Sequence, residues 1–176
     1  AFSGGDASPA LQDAVLAGAA AQAQQSDAAA IVSWPASLED ARVWAGPLLS
    51  CIPGAAQLRR WHEESYVHPF VLRIGRLPIG YGELWLDEIE REIELARIIV
   101  QPSMRNLGLG RRFVELLLKE ATPFGIRHVF VRVLPANAPA IRCYKSAGFH
   151  KVPTARTRRF NDGQPVLYTW LERLLS

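Results

Sequence analysis

The chain has 176 residues, enough for one domain with its own hydrophobic core. Hydrophobic residues make up 49% and charged residues 21%, the balance of a globular protein, and no segment is apolar for long enough to span a membrane. The formal net charge of +3 is compatible with an anionic ligand but too small to indicate a nucleic-acid-binding protein. Cys51 and Cys143 lack metal-ligand spacing, and we expect reduced thiols in a cytoplasmic protein.

Residues 1–30 are rich in Ala, Gln, Gly and Ser. They have no basic n-region, so they are not typical of a secretory signal peptide. We expect residues 1–12 to be a flexible N-terminal extension and residues 13–176 to form a single domain. Within that domain, DAVLAGAA (13–20) is compatible with a first strand.

Three short helical patterns come next. The first, SDAAAIVSW (26–34), starts with two good N-cap residues, Ser26 and Asp27. The second, SLEDARVWAG (37–46), is followed by Pro and ends in Gly, a combination that terminates helices. The third is AAQLRRWHEES (55–65).

The pattern then changes to strands. PFVLRIG (69–75) and PIGYGELWL (78–86) flank Arg76-Leu77 and indicate a β-hairpin. EIELARIIV (92–100) alternates at first and is then continuously apolar, so we predict a strand that is buried towards its end.

A helix and a strand follow the hairpin region. Leu109, Phe113, Leu116 and Leu117 have the i, i+4, i+7, i+8 spacing of one buried helix face. HVFVRVL (128–134) has the composition and alternation of a strand.

The last part of the chain is predicted to hold one more helix and two strands. NAPAIRCYKSAGF (137–149) reads as a helix that Asn137 caps and Gly148 ends. HKVPTA (150–155) and PVLYTWLER (165–173) are predicted strands, with a turn at Asn-Asp-Gly between them.

The stretch that opens the helix near residue 109 combines bare backbone with positive charge. A helix N-terminus has unpaired amides and a partial positive charge, and Gly108 and Gly110 would let a phosphate approach them. Arg105, Arg111 and Arg112 add charge around that point. The third small residue of a Rossmann fingerprint and the Gly-Lys-Ser/Thr of a Walker loop are both absent. On its own, the stretch fits either an anion site or a plain strand-to-helix turn.

Two motifs change that balance. One has the form Arg/Gln-x-x-Gly-x-Gly/Ala and consists here of Arg105, Gly108 and Gly110. The other is an Asn seven residues before a Tyr, followed by Gly-Phe, and consists here of Asn137, Tyr144, Gly148 and Phe149. In this order and on these elements, they resemble the GNAT superfamily of acetyl-CoA-dependent N-acetyltransferases. The resemblance covers about residues 70–155.

The resemblance implies the family's α/β (α+β) fold, a mixed, splayed central sheet of about six to seven strands with helices on both faces. Acetyl-CoA would lie between the strands at 92–100 and 128–134, with its pyrophosphate on the amides of residues 107–111. Asn137 would contact the cofactor arm, although it is also a good N-cap. The cofactor-binding residues implied in this way are Ile98, Ile99, Val100, Arg105, Asn106, Leu107, Gly108, Leu109, Gly110, Arg111, Asn137 and Tyr144.

The same resemblance supplies candidate catalytic residues. Tyr144 matches a tyrosine near the CoA sulfur, where a phenol can protonate the leaving thiolate; its spacing also fits a core aromatic. A backbone amide in 98–100 would stabilise the oxyanion. Ribosomal-protein-type members carry a Glu where this chain has Arg132, which cannot accept a proton. Glu94 stands where histone-type members carry a Glu, and Glu92 on the same strand face is an alternative base; both also fit solvated charges at a strand start.

We therefore expect a GNAT-type N-acetyltransferase that moves the acetyl group of acetyl-CoA directly to a primary amine in a ternary complex, without a metal. The alternative is a non-catalytic acyl-CoA-binding or regulatory module on the same fold, and a longer acyl donor also stays open. The acceptor is a small-molecule or peptide amine, and we expect no nucleic-acid or membrane partner and a monomer or homodimer. The acceptor pocket would be lined by Trp34, Trp44 and Trp61, unless these tryptophans fill the core. The basic cluster RTRR (156–159) would either attract an acidic acceptor or lie on a solvated strand face.

Overall fold

The computed structural model of the protein describes residues 20–176. The expected extension at 1–12 lies outside the described residues. So does the predicted strand DAVLAGAA, except for its last residue, Ala20, which begins the first strand. Among the described residues, no helix has both the length and the apolarity that crossing a membrane requires.

Seven strands and six α-helices are present in residues 20–176. The strands are β1 (Ala20–Gln22), β2 (Val67–Ile74), β3 (Leu77–Asp87), β4 (Glu92–Val100), β5 (His128–Val133), β6 (His150–Lys151) and β7 (Thr169–Leu174). The helices are α1 (Ala28–Ile31), α2 (Leu38–Ala45), α3 (Ala55–Trp61), α4 (Leu109–Ala121), α5 (Ala138–Ser146) and α6 (Thr154–Asn161).

The strands form one mixed sheet in the order β1-β2-β3-β4-β5-β7-β6. β4 and β5 run parallel, and the other neighbours are antiparallel. The sheet is open rather than closed into a barrel. The predicted fold class is confirmed.

β4 and β5 pair at Glu92–Glu94 and His128–Phe130 and then separate. β4 continues to Val100 along β3, but its register with β3 shifts on the way, and Arg97 at that point has a φ of 46°. A bulge of this kind inserts an unpaired residue and bends the strand. The bend opens the splay that the family resemblance implied.

Helix α4 covers one face of the sheet. Phe113 and Leu117 are fully buried there, as their helical spacing predicted. Gly80 and Gly82 of β3 allow the close approach, because a Cβ on Gly82 would lie 3.0 Å from a methyl group of Leu117. In this part of the core, side chains of α4 therefore pack directly against the backbone of β3.

The early helices cover the other face. Their buried side chains form a second cluster with residues of β2, β3 and β4. The members from the helices and the loop after α1 are Ala28, Ile31, Trp34, Trp44 and Leu58, and those from the strands are Val71, Tyr81 and Ile99. Helices on both faces of the sheet are thus confirmed.

The predicted caps have mixed outcomes. Asn137 caps α5 as predicted, because its side-chain oxygen accepts a hydrogen bond from the Ala140 amide. Ser37, which the sequence analysis did not single out, caps α2 by accepting from the Asp40 amide. Asp27 precedes α1 but does not cap it with its side chain. Its carboxylate instead accepts from the Gln24 amide at 2.8 Å and pairs with Arg73 at 2.5 Å.

The prediction for the C-terminal strands was partly wrong. HKVPTA holds only the two residues of β6, and helix α6 follows, because Pro153 lacks the N–H that a ladder needs and has the φ of a helix entrance. PVLYTWLER becomes a strand only at Thr169. Before it, Asn161 exchanges two side-chain hydrogen bonds of 3.0 Å with the Tyr168 backbone and takes the place of a strand partner. The RTRR cluster is therefore helical and not on a strand face.

Candidate active site

A cleft of about 710 Å³ opens where β4 and β5 separate. Its walls come from α2 and the loop after it, from β4, from the end of β5, from α5 and from the loop before β7. It is lined by seven of the residues that the sequence predicted for the site: Glu94, Ile98, Ile99, Val100, Arg105, Asn137 and Tyr144. The splay thus brings the candidate base, the candidate acid and the segment expected to pair with the cofactor arm into one space.

The other predicted residues lie outside the walls of this cleft. Glu92 is at the start of β4, where it forms an ion pair of 2.9 Å with Arg156 of α6. The Leu109 side chain is part of the core. The rest form the entrance of α4 together with Leu109: Asn106, Leu107, Gly108, Gly110 and Arg111.

The entrance of α4 has features that suit a bound anion. Gly108 and Asn106 both adopt left-handed backbone, with φ of 76° and 65°. No described side chain caps the first turn of α4, and nothing lies within 4 Å of the position a Gly108 Cβ would take. Uncapped helix amides beside open space are the requirement for phosphate binding.

Gly110 has a different reason to be glycine. A Cβ at this position would lie 3.3 Å from the Cys143 sulfur on α5. The sequence interpretation that both glycines make room for a phosphate therefore fits Gly108, whereas the space beside Gly110 is filled by the neighbouring helix. Gly110 lets α4 and α5 pack closely.

Tyr144 points from α5 towards the cleft. Its ring packs edge-on against Phe149 at a centroid distance of 5.8 Å. Burial, with the charges of Cys143 and Glu94, raises the pKa of Tyr144 above that of a free phenol, so the hydroxyl stays protonated at neutral pH. Within residues 20–176 that hydroxyl makes no hydrogen bond, which leaves its proton available to a ligand in the cleft.

Glu94 is paired with the arginine that stands on the later strand. Arg132 Nε lies 2.7 Å from Glu94 Oε1, and the two side chains are 25% and 18% exposed. Burial raises the pKa of Glu94 to about 7, although the charges of Arg132 and Arg97 act in the opposite direction. A carboxyl with a pKa near 7 can both accept and release a proton at neutral pH. The sequence identified Arg132 as a departure from one subgroup but did not reveal it as the partner of Glu94.

A buried carboxylate beside the cleft was missed from the sequence. Glu83 of β3 is fully buried. It accepts hydrogen bonds from the Tyr81 hydroxyl, from the Trp85 indole at 2.5 Å and from the Arg97 guanidinium at 2.9 Å. The signal was a lone Glu inside the apolar strand pattern YGELWL, because a charge that is buried in a strand must be paired.

This network holds the bulge that opens the cleft. Arg97 has the left-handed φ that non-glycine residues rarely adopt. Its carbonyl accepts a hydrogen bond of 2.7 Å from the Trp44 indole, and its guanidinium binds Glu83 and lies 3.8 Å from the centre of the Trp61 ring. Of the three early tryptophans, Trp44 also lines the cleft, whereas Trp34 is a core residue.

Comparison with known proteins identifies the family. The sequence matches the acetyltransferase (GNAT) family over residues 29–149. It is 35% identical over 65 residues to the [ribosomal protein bS18]-alanine N-acetyltransferase of Escherichia coli (strain K12), which is 37% of this chain and 44% of that protein. It is 28% identical over 120 residues to the aminoglycoside N(6')-acetyltransferase type 1 of Klebsiella pneumoniae, which is 60% of this chain and 56% of that protein.

The fold is also that of a solved acetyltransferase. An aminoglycoside acetyltransferase in complex with coenzyme A superposes with a TM-score of 0.70 at 18% identity, over 89% of this chain and 94% of that one. The chain spans only 44% and 56% of the length of the two curated relatives, so the family match carries the assignment. That match contains both sequence motifs and reaches back to α1. The chain belongs to the acetyltransferase (GNAT) family.

Proposed function

We propose that the protein is an N-acetyltransferase that transfers the acetyl group of acetyl-CoA directly to a primary amine within a ternary complex. The observation that carries this proposal is the cleft between β4 and β5, in which Glu94 and Tyr144 meet beside residues 98–100. The two curated relatives support the reaction class, since both are named N-acetyltransferases, one of a ribosomal-protein alanine and the other of aminoglycosides.

Acetyl-CoA would be held from both ends of the cleft. Its pyrophosphate would sit on the uncapped amides of the α4 entrance, at Leu107–Arg111. Arg105 stabilises that entrance, because its Nε donates a hydrogen bond of 3.1 Å to the Val100 carbonyl. Asn137 uses its side-chain oxygen to cap α5, which leaves its amide nitrogen to contact the cofactor arm.

Glu94 would act as the general base, directly or through water. An ammonium group cannot attack a thioester, so the acceptor must first lose a proton. With a pKa of about 7, Glu94 is ionised at slightly alkaline pH and can take that proton. Glu92 is the weaker candidate, because it lies outside the cleft and its carboxylate is engaged by Arg156.

Tyr144 would act on the leaving group. The amine nitrogen forms a bond with the acetyl carbon, a backbone amide of residues 98–100 stabilises the oxyanion, and the carbon–sulfur bond then breaks. The electron pair of that bond stays on sulfur, and the Tyr144 hydroxyl donates the proton that yields free CoA thiol. The nitrogen then loses its second proton to the Tyr144 phenolate, directly or through water, which restores the phenol. The proton that Glu94 took from the ammonium is released to solvent, so each transfer yields one free proton.

One observation favours the second candidate, a non-catalytic acyl-CoA-binding module. Arg132 binds Glu94 at 2.7 Å, and a carboxylate occupied in this way is a poorer base. The raised pKa of Glu94 speaks against this reading, because the ion pair does not outweigh the effect of burial.

The test is release of free thiol from acetyl-CoA in the presence of a panel of primary amines, with succinyl-CoA as a second donor. An active acetyltransferase releases thiol only when an amine is present. A protein that binds acetyl-CoA in calorimetry but releases no thiol with any amine would be a binding module.

The cofactor site is tested with Gly108→Glu, which places a carboxylate beside the α4 amides. We expect acetyl-CoA affinity to fall about 100-fold or more, as for any loss of a charge-stabilised phosphate contact combined with repulsion. Gly108→Ala is the matched control, since it carries the same backbone strain without the charge. Unchanged affinity in a folded Gly108→Glu protein would remove this entrance from the site.

A further inference from the structure

A second cavity, of about 890 Å³, adjoins the cleft. Trp85, Glu94 and Gln164 line both spaces, so the candidate base stands at the boundary between them. Pockets of roughly 300–1,000 Å³ are the size that proteins use for small molecules. An amine that entered from this second cavity would reach Glu94 from the side opposite the acetyl-CoA residues.

The cavity is acidic. Four of its described lining residues are carboxylic acids, and none is Lys or Arg: Asp87, Glu88, Glu92 and Glu94. Glu92 and Glu94 have arginine partners. Asp87 and Glu88 are exposed at the end of β3 and have no ion pair within the described chain, so the cavity has two uncompensated negative charges.

Aromatic rings form much of the remaining wall. Trp85 and the half-exposed Tyr66 meet edge to face at 6.1 Å, and three further rings line the cavity: Phe130, Phe160 and Trp170. The faces of such rings attract cations and also bury methylene groups. Arginines of the protein already lie over four of them, Arg132 over Trp85 and Trp170 and Arg156 over Phe130 and Phe160, whereas Tyr66 has no arginine over it within the described residues. Negative charge and aromatic walls together favour an organic cation over an inorganic one.

The strand register sets a length for that cation. Asp87 lies opposite Glu92 on β4, and Trp85 lies opposite Glu94. Asp87 is therefore the diagonal neighbour of Glu94 on the same face of the sheet, and such neighbours are about 7–8 Å apart. A ligand that placed one nitrogen at Glu94 and another at Asp87 would need about that separation.

We propose that this second cavity is the acceptor site and that the acceptor is a small oligoamine, with a second cationic group about 7–8 Å from the nitrogen that is acetylated. The reacting amine gives its proton to Glu94, while the second ammonium stays charged between Asp87 and Glu88, beside the Tyr66 ring. An acceptor with a carboxylate near its amine is disfavoured by the same charges. This inference rests on the proposed acetyl transfer and deepens it.

The experiment compares α,ω-diamines of increasing chain length with monoamines of matched length and with amino acids, by thiol release from acetyl-CoA and by calorimetric binding in the presence of CoA. We expect diamines to be preferred in kcat/KM by about 2- to 5-fold over matched monoamines, because solvent weakens ion pairs with exposed carboxylates such as Asp87 and Glu88. The optimum should fall where the nitrogens are about 7–8 Å apart.

Two double variants with the same change in net charge distinguish a local effect of the cavity from an effect of the protein's overall charge. Asp87→Asn with Glu88→Gln should reduce the preference for diamines to about that of a neutral site. The Asp87→Asn side chain keeps a carbonyl oxygen for the turn hydrogen bonds that Asp87 accepts from the Ile89 and Glu90 amides. Glu39→Gln with Glu63→Gln removes the same charge from exposed positions that line neither cavity, and should keep the preference.

The outcomes distinguish the two proposals. Turnover of amines without any diamine preference, or a preference that survives Asp87→Asn with Glu88→Gln, would overturn the acceptor site and leave acetyl transfer standing. Diamine binding that depends on Asp87 and Glu88 without thiol release would support the site and overturn acetyl transfer. If no diamine binds and none is turned over, the proposed acceptor class is wrong.

Discussion

Two glutamate–arginine pairs lie close together on this sheet and differ in almost every respect. Glu83 is fully buried and has three donors, from Tyr81, Trp85 and Arg97. Glu94 lines the cleft and has one ion-pair partner, Arg132. The first carboxylate is saturated with hydrogen bonds, whereas the second is desolvated without being fully satisfied.

That difference distinguishes a carboxylate that stabilises the fold from one that can take part in proton transfer. A buried carboxylate with a full set of donors holds its surroundings in one arrangement, and here it holds the Arg97 bulge that opens the cleft. A carboxylate with fewer donors is less stable in its charged form, and burial therefore raises the pKa of Glu94 to about 7. A glutamate–arginine pair can therefore either stabilise the fold or supply a titratable carboxylate, depending on how many hydrogen-bond donors surround that carboxylate.

The largest effect should come from removing the charge of Glu83. Glu83→Gln leaves the Arg97 guanidinium without its counter-charge in a buried position, and breaking such a pair costs about 3–5 kcal/mol. The free energy of unfolding, measured by urea denaturation, should fall by that amount. Glu115→Gln is the control, because the exposed pair that Glu115 forms with Arg111 is worth about 0.3–0.5 kcal/mol. Equal stability losses in the two variants would show that Glu83 is not a scaffold residue.

The same contrast explains what the sequence could predict. The α4 face, the cap at Asn137 and the strand at 92–100 were predictable, because each depends on local periodicity or a local cap. The family motifs extended this to the cleft residues, including Tyr144. These features need only neighbours in sequence or a recognised pattern.

The missed features depend on distant partners. Arg132 meets Glu94 only because β4 and β5 lie side by side, and the Glu83 network joins strand residues to indoles from separate helices. The sequence does not predict helix α6, because its basic residues form no helical apolar stripe; Arg156 instead pairs with Glu92 and Glu172. Tertiary contacts overrode local pattern in each case.

The second largest effect concerns Glu94 as the base. Glu94→Gln should lower kcat/KM by about 100-fold, the low end for general-base catalysis. Because the pKa of Glu94 is about 7, the loss should be small below pH 7, where the wild-type carboxyl is protonated as well. It should also shrink above the acceptor pKa, about 10 for an alkyl amine, because the acceptor then arrives neutral. Steady-state kinetics from below pH 7 to above the acceptor pKa measures the pH range in which the loss occurs.

Glu92→Gln is the comparison for this experiment. It removes the alternative base, which lies outside the cleft, and should leave the pH profile in place. If Glu92→Gln instead produces the loss between pH 7 and the acceptor pKa, Glu92 is the base and Glu94 is only its neighbour.

A smaller effect is expected from Tyr144. Tyr144→Phe keeps the ring contact with Phe149 and removes only the hydroxyl. Since CoA thiolate is a fair leaving group, kcat should fall by about 100-fold or less, with little change in acetyl-CoA affinity. Tyr168→Phe, at a second phenol that lines the cleft, should keep kcat. A lower melting temperature with an unchanged kcat would identify Tyr144 as a structural residue.

The smallest effect tests whether Arg132 sets the pKa of the base. Arg132 favours the charged form of Glu94, so Arg132→Gln should raise the pKa of Glu94 further above 7, by about one unit or more. A base must be deprotonated to act, and the rising limb of the kcat/KM profile should therefore move to higher pH. The rate at neutral pH falls, while the rate at high pH recovers. Arg156→Gln removes a similar arginine from Glu92 and Glu172 and should leave the limb where it is. A loss of rate that is equal at every pH would show that Arg132 positions the acceptor or stabilises the fold and does not set the pKa of Glu94. Both glutamate–arginine pairs would then have a structural role.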